Sequence, residues 1–219
     1  KEMLEVAKNE NVALLIVGSP LGATTHQDIL QRADELKIKT EVIDNAGILG
    51  AVGVTGLSLY KFGRVITIPR ENDNVKSPYE MLSKNKEMGL HTLILLDVGS
   101  VEGEFELMTA KEGCDYLIKN GFEGEVVVCG GLGSNDPEIK FGNVNSLDVK
   151  KLPQCLIVPG DLHFMEEDAL KSFNISSLCS KASLPSGRKK KTRARPLSAE
   201  SSTRETDTPC SPGLSRLAS

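Results

Sequence analysis

The chain of 219 residues contains no tryptophan, and aromatic residues make up only 4% of it. Any core must therefore rest on aliphatic side chains, and a hydrophobic fraction of 39% leaves enough of them for one. The five cysteines stand at 114, 129, 155, 179 and 210, and none forms C-x-x-C. An odd count without metal spacing suits reduced thiols and a cytoplasmic location. Cys129 and Cys155 lie in apolar, strand-like runs and are expected in the core. The three histidines, His26, His91 and His163, form no H-E-x-x-H or similar pattern, so no metal is expected. No run of 18 apolar residues exists, which excludes a spanning helix of ordinary length. No signal peptide is visible. Neither G-x-G-x-x-G nor G-x-x-x-x-G-K-[ST] occurs, so the common nucleotide fingerprints are absent.

The net charge of −4 conceals an asymmetry. Residues 177–219 carry nine basic and three acidic residues, a net of +6, which leaves residues 1–176 at −10. The same tail holds ten serines and four prolines and has almost no large apolar residues. Such a composition cannot bury enough surface to offset chain entropy and reads as disordered. The run Arg188–Arg195 reads either as a solvated low-complexity stretch or as a basic signal for nucleic acid or the nucleus.

Two stretches point to a ligand. Val12–Val17 has the length and β-branched content of a buried parallel strand, and it leads into Gly18-Ser-Pro-Leu-Gly-Ala-Thr-Thr-His26. Gly18 and Gly22 permit a tight turn and close approach of a ligand, and Thr24 or Thr25 can cap a following helix. Ligands of open α/β sheets bind at the carboxyl ends of strands, where this loop would lie. The same pattern also serves junctions that only turn the chain. Glu41–Gly63 repeats the design, with a strand ending at Asp44-Asn45 before an Ala/Gly-rich helix. Gly47, Gly50, Gly53 and Gly56 stand three apart and would crowd one side of that helix. Each costs about 1 kcal/mol relative to alanine, which implies close packing by a backbone or a flat ligand.

These stretches resemble the diphthine synthase family, within the tetrapyrrole-methylase-like class of S-adenosylmethionine-dependent methyltransferases. The resemblance rests on Gly18–His26, Val42–Ile48, Leu57–Gly63, His91–Asp97 and Leu156–Glu166, and covers about residues 1–175. It implies two α/β domains with a cofactor cleft between them and a homodimeric assembly. It further implies methylation of the amino group of a modified histidine on elongation factor 2, a step of diphthamide biosynthesis. By position, the resemblance assigns cofactor contacts to Gly22, Gly47, Ile48, Leu96 and Leu132. Gln154 stands where the family often has histidine. Ser19 stands where the family usually has aspartate, which weakens charge complementarity at that point. The family opens with a further strand and Gly-rich loop ahead of the position of Lys1, so a truncated N-terminal domain is expected. The alternatives are a binding-only or inactive fragment of such an enzyme, and a related small-molecule, corrinoid-type methyltransferase.

The coarse reading is α/β with largely parallel sheets. Strands are expected at 12–17, 40–43, 64–68, 91–96, 125–129, 139–143 and 155–158. Helices are expected at 25–36, 48–61, 78–88, 108–119 and 164–173. The implied domains are 1–62 and 63–176, with the tail at 177–219. No catalytic base is assigned. His163 and Glu166, three apart at a helix entrance, can relay a proton or bind substrate, or else cap the helix and sit as surface charge. His26 can reach a loop ligand or bond its own helix start. Asp44 and Asp97 end strands on the ligand side or serve as caps. Tyr60 and Lys61 are expected to shape the domain junction.

Overall fold

The computed structural model describes residues 2–101 and 104–174. The expected tail at 177–219 lies outside them. The body is a five-stranded sheet in the order β1(Ile66–Ile68), β2(Thr92–Leu96), β7(Gln154–Val158), β5(Glu125–Gly130), β6(Glu138–Asn143). A separate hairpin joins β3(Val98–Val101) to β4(Glu104–Leu107). The helices are α1(Glu2–Val6), α2(Gln27–Glu35), α3(Ile48–Ala51), α4(Ser77–Glu87), α5(Ala110–Lys119) and α6(Phe164–Lys171).

The central strands are apolar on both sides because both faces of the sheet are covered. On β5, Val126 and Val128 face one layer while Val127 and Cys129 face the other, as the two-residue period of a strand requires. The first layer packs Ile94, Leu96 and Leu156 against Leu82 of α4 and Leu117 of α5. The second packs Leu93, Val127, Phe141 and Ile157 against Val52, Leu57 and Leu170. Helix α5 starts with a capping box, in which Thr109 and Glu112 exchange hydrogen bonds.

Several expectations are corrected. The sheet is mixed, not largely parallel: β1 pairs with β2 in parallel, whereas the β2–β7, β5–β7 and β5–β6 pairs are antiparallel. Residues 12–17 and 40–43 are not strands. Their apolar runs meet no ladder partner among the described residues, and Leu15 is 91% exposed. A strand exists by pairing, which apolar content alone cannot supply. The helix expected over 48–61 breaks into α3, a 3₁₀ turn at Val52–Thr55 and another at Leu59–Lys61. Gly56 ends the first 3₁₀ turn at φ +81°, so the four glycines do not share one helix side. Helix α2 begins without the expected threonine cap, and the Thr24 hydroxyl bonds His26 Nδ1 instead. The β3–β4 hairpin was not anticipated.

The buried thiols of Cys129 and Cys155 are direct cross-strand partners, and both are free. The neighbouring Cys155 thiol and burial push Cys129 far above the usual thiol range, and burial raises Cys114 to about 12. These are packing residues rather than nucleophiles.

Gly56 offers a test of the break. A β-carbon there would lie 2.3 Å from that of Ala169, on a backbone conformation that disfavours L side chains. Gly56→Ala should destabilise the protein by about 2 kcal/mol or more, read as a lowered urea midpoint at unchanged slope.

Candidate active site

The residues assigned by resemblance fall into two groups. Ser19, Gly22 and Gly47 meet in one loop contact: β-carbons on Gly22 and Gly47 would lie 3.0 Å and 2.8 Å from Ser19 side-chain atoms. Ile48 follows Gly47 as the first residue of α3 and packs on the second apolar layer. The other group lies along one edge of the sheet. Leu96 ends β2, Gln154 begins β7 opposite Gly130, and Leu132 follows β5. Leu132 packs on the same layer as Ile48, whereas Leu96 turns to the opposite layer.

Gln154 works within the framework at this edge. Its Oε1 accepts from Ala110 N at 2.6 Å and its Nε2 donates to the Val149 carbonyl at 2.6 Å. One N–H and one lone pair of the amide remain. Among the described residues Asp97 caps no helix but joins two backbone amides, accepting from Arg70 N at 3.1 Å and Val98 N at 2.9 Å. His26 bonds its own loop through Nδ1, which lies 3.0 Å from the Pro20 carbonyl. Asp44 and Tyr60 are exposed.

At the other edge, three of the sequence motifs meet on one carboxylate. Glu166 is 4% exposed. Its Oε1 accepts from Ser58 N at 2.9 Å and from His91 Nε2 at 3.1 Å. Its Oε2 accepts from Lys61 Nζ at 2.8 Å and from His163 N at 2.9 Å. Glu166 and His163 thus form the capping box of α6, but the expected surface charge is buried. Lys61 Nζ also donates to the Asp161 carbonyl. Gly160 N donates to His91 Nδ1 at 2.9 Å, so that nitrogen is an acceptor and the proton sits on Nε2. Burial lowers the His91 pKa against the pull of Glu166, which keeps the ring neutral. Burial pushes the Glu166 carboxyl up, but its four donors outweigh that and hold it at about 2.

The sequence reading missed His91 as a functional position, along with Asn85. Asn85 is 5% exposed and bonds both Arg64 N and the Arg64 carbonyl. The signal for His91 was a histidine heading a strand that is apolar but for Thr92. A groove of about 180 Å³ lined by Tyr79, Leu82, Ser83, Lys86 and Phe122 lies apart from all seven assigned residues.

The sheet, its two helical layers and the loop-lined edge have the tetrapyrrole-methylase-like fold. No family model matches the chain. It is 41% identical over 184 residues to a diphthine synthase of Methanocaldococcus jannaschii, covering 78% of this chain and 72% of the relative. It is 35% identical to a probable diphthine methyl ester synthase of Arabidopsis thaliana, covering 80% and 74%. The crystal structure of a putative diphthine synthase from Entamoeba histolytica superposes with a TM-score of 0.74 at 32% identity, covering 79% and 75%. The chain belongs to the diphthine synthase family, whose members are methyltransferases.

The carboxylate cluster gives a signed pH dependence. Glu166 titrates at about 2 when folded against an ordinary 4.5, so the unfolded chain takes the proton first as pH falls. The stabilisation is full above pH 4.5 and is lost on acidification towards 2. Chemical denaturation of the wild type should show this acid limb. Glu166→Gln should lower stability at pH 7 by about 3 kcal/mol, because an amide opposes buried donors, and should flatten the limb.

Proposed function

We propose that the chain takes S-adenosylmethionine as cofactor and methylates the amino group of a modified histidine on elongation factor 2, as a homodimer. Family membership supports the reaction class. The single observation that carries the assignment to this chain is the bare backbone where Gly22 and Gly47 face Ser19, with Ile48 beside it. An apolar, backbone-rich lining fits the adenosine part of such a cofactor.

The cofactor supplies an activated methyl group on a sulfonium. The chain's own task is to hold the amine lone pair in line, and such positioning is worth about 7–11 kcal/mol. An α-amino group titrates near ~8, so a neutral fraction exists at physiological pH without a dedicated base. Glu166 and His91 suit no such role, since every polar atom of both is engaged. Methylation of the amine stops at quaternisation, because a trimethylated nitrogen has no lone pair.

Calorimetric titration with S-adenosylhomocysteine should give saturable binding, and the purified chain should transfer label from S-adenosylmethionine to the modified elongation factor. Ser19→Asp should tighten binding by supplying a carboxylate to the cofactor's ammonium or hydroxyls. Binding without transfer would favour the binding-only reading. Sedimentation should give twice the chain mass, and a monomer would remove the dimer from the proposal.

A further inference from the structure

The buried carboxylate and the assigned Leu96 lie at opposite ends of β2. His91 precedes β2 and Leu96 ends it, roughly 16 Å away at strand rise. Hydrogen bonds linked through short steps of the covalent chain join Glu166 to Ile48. Glu166 Oε1 accepts from Ser58 N at 2.9 Å. The adjacent Leu57 N donates to Thr55 Oγ1 at 3.4 Å, and that hydroxyl donates to the Val52 carbonyl at 2.7 Å. Val52 N donates in turn to the Ile48 carbonyl, and Ala51 N donates to the Gly47 carbonyl at 3.0 Å. Thr55 is fully buried, and Val52 and Leu57 are anchored in the second apolar layer, so the two Thr55 links are shielded from water, whereas Ser58, Ile48 and Gly47 are half-buried.

Other contacts lock the same segment to the sheet. Gly56 packs on Ala169 and Gly63 packs on Asn85. Phe62 stacks edge-on to His91, with ring centres 5.4 Å apart. Residues 56–63 are thus tied to α6, to α4 and to the head of β2.

We propose that Glu166 is a positioning residue for cofactor binding, which sets the Gly47–Ile48 turn through the Ser58–Thr55–Val52 relay. The inference rests on the reading that this turn contacts the cofactor. A segment of two short 3₁₀ turns and one helical turn has little stability of its own. Its order is borrowed from the anchor at one end and the apolar layer beneath. Losing the anchor leaves the turn sampling more conformations, and cofactor affinity falls by the fraction that remains competent.

Two variants test this. Glu166→Gln breaks the anchor, and Thr55→Val breaks the relay at its middle while keeping the buried volume. Leu82→Ala, on the opposite layer, is a control that destabilises the fold without touching the relay. Both relay variants should bind S-adenosylhomocysteine roughly tenfold more weakly, with kcat at saturating cofactor unchanged. The control should bind as the wild type does. Amide hydrogen exchange over residues 48–58 of the ligand-free protein should quicken in both relay variants and stay unchanged in the control. Folded relay variants with wild-type affinity, or with unaltered exchange, would overturn the proposal. If Glu166→Gln fails to fold, Thr55→Val decides. A wild type that binds no S-adenosylhomocysteine would sink the cofactor reading, and the exchange comparison would still uphold or overturn the relay.

Discussion

Four hydrogen bonds converge on Glu166 from the chain crossing at Ser58 and Lys61, the head of β2 at His91, and the cap of α6 at His163. Taking a carboxylate out of water costs several kcal/mol, and only a full set of donors offsets it. None of these donors can drift to compensate for another. His91 is held through Nδ1 by Gly160 N–H, and Lys61 by the Asp161 carbonyl. The arrangement also sets the sheet. His91 N donates to the Lys61 carbonyl and Gly63 N to the His91 carbonyl, both at 2.8 Å, which places the chain entering β1 beside the start of β2. Those two strands form the sheet's parallel pair, so their register follows from the same place.

Strands β2, β5 and β7 were legible in the sequence because each is a short, mainly apolar run covered on both sides, which leaves its mark in composition. The runs at 12–17 and 40–43 carry the same mark without the pairing that makes a strand. Strand direction was not legible either. Alternating helices and strands favour parallel crossovers, but β5 and β6 are joined by a short turn and pair antiparallel, and β7 enters between β2 and β5 running against both. The β3–β4 hairpin escaped because Val98–Leu107 mixes glycine and glutamate with few apolar residues. Gly56 was read as one of a stripe, whereas its positive φ makes it the point where the helical segment stops.

The cluster shows a different limit. The three-residue spacing of His163 and Glu166 correctly suggested a capping box, because a cap is local. The burial of Glu166 was invisible because its other partners lie 75 to 108 positions away in the chain. No window along the sequence contains that information. What the sequence did offer was indirect: three separated motifs, Leu57–Gly63, His91–Asp97 and Leu156–Glu166, each contain one ionisable residue that ends at the same point. The residues that made the family recognisable are thus largely those that lock the crossing to the sheet.

That division follows from the chemistry. Under the proposed reaction, an amine acting on an already activated methyl group asks for alignment more than for acid–base assistance, so the residues assigned to the cofactor need supply little beyond shape. Ser19, Gly22, Gly47, Ile48, Leu96 and Leu132 offer backbone, one hydroxyl and apolar surface. Gln154 spends most of its amide holding the first turn of α5. Alignment is a property of the backbone that carries such residues, and a backbone of glycines and short turns does not hold itself in place. Under the same proposal, the charged cluster at the head of β2 fixes the segment with a saturated carboxylate that presents no reactive atom to the substrate.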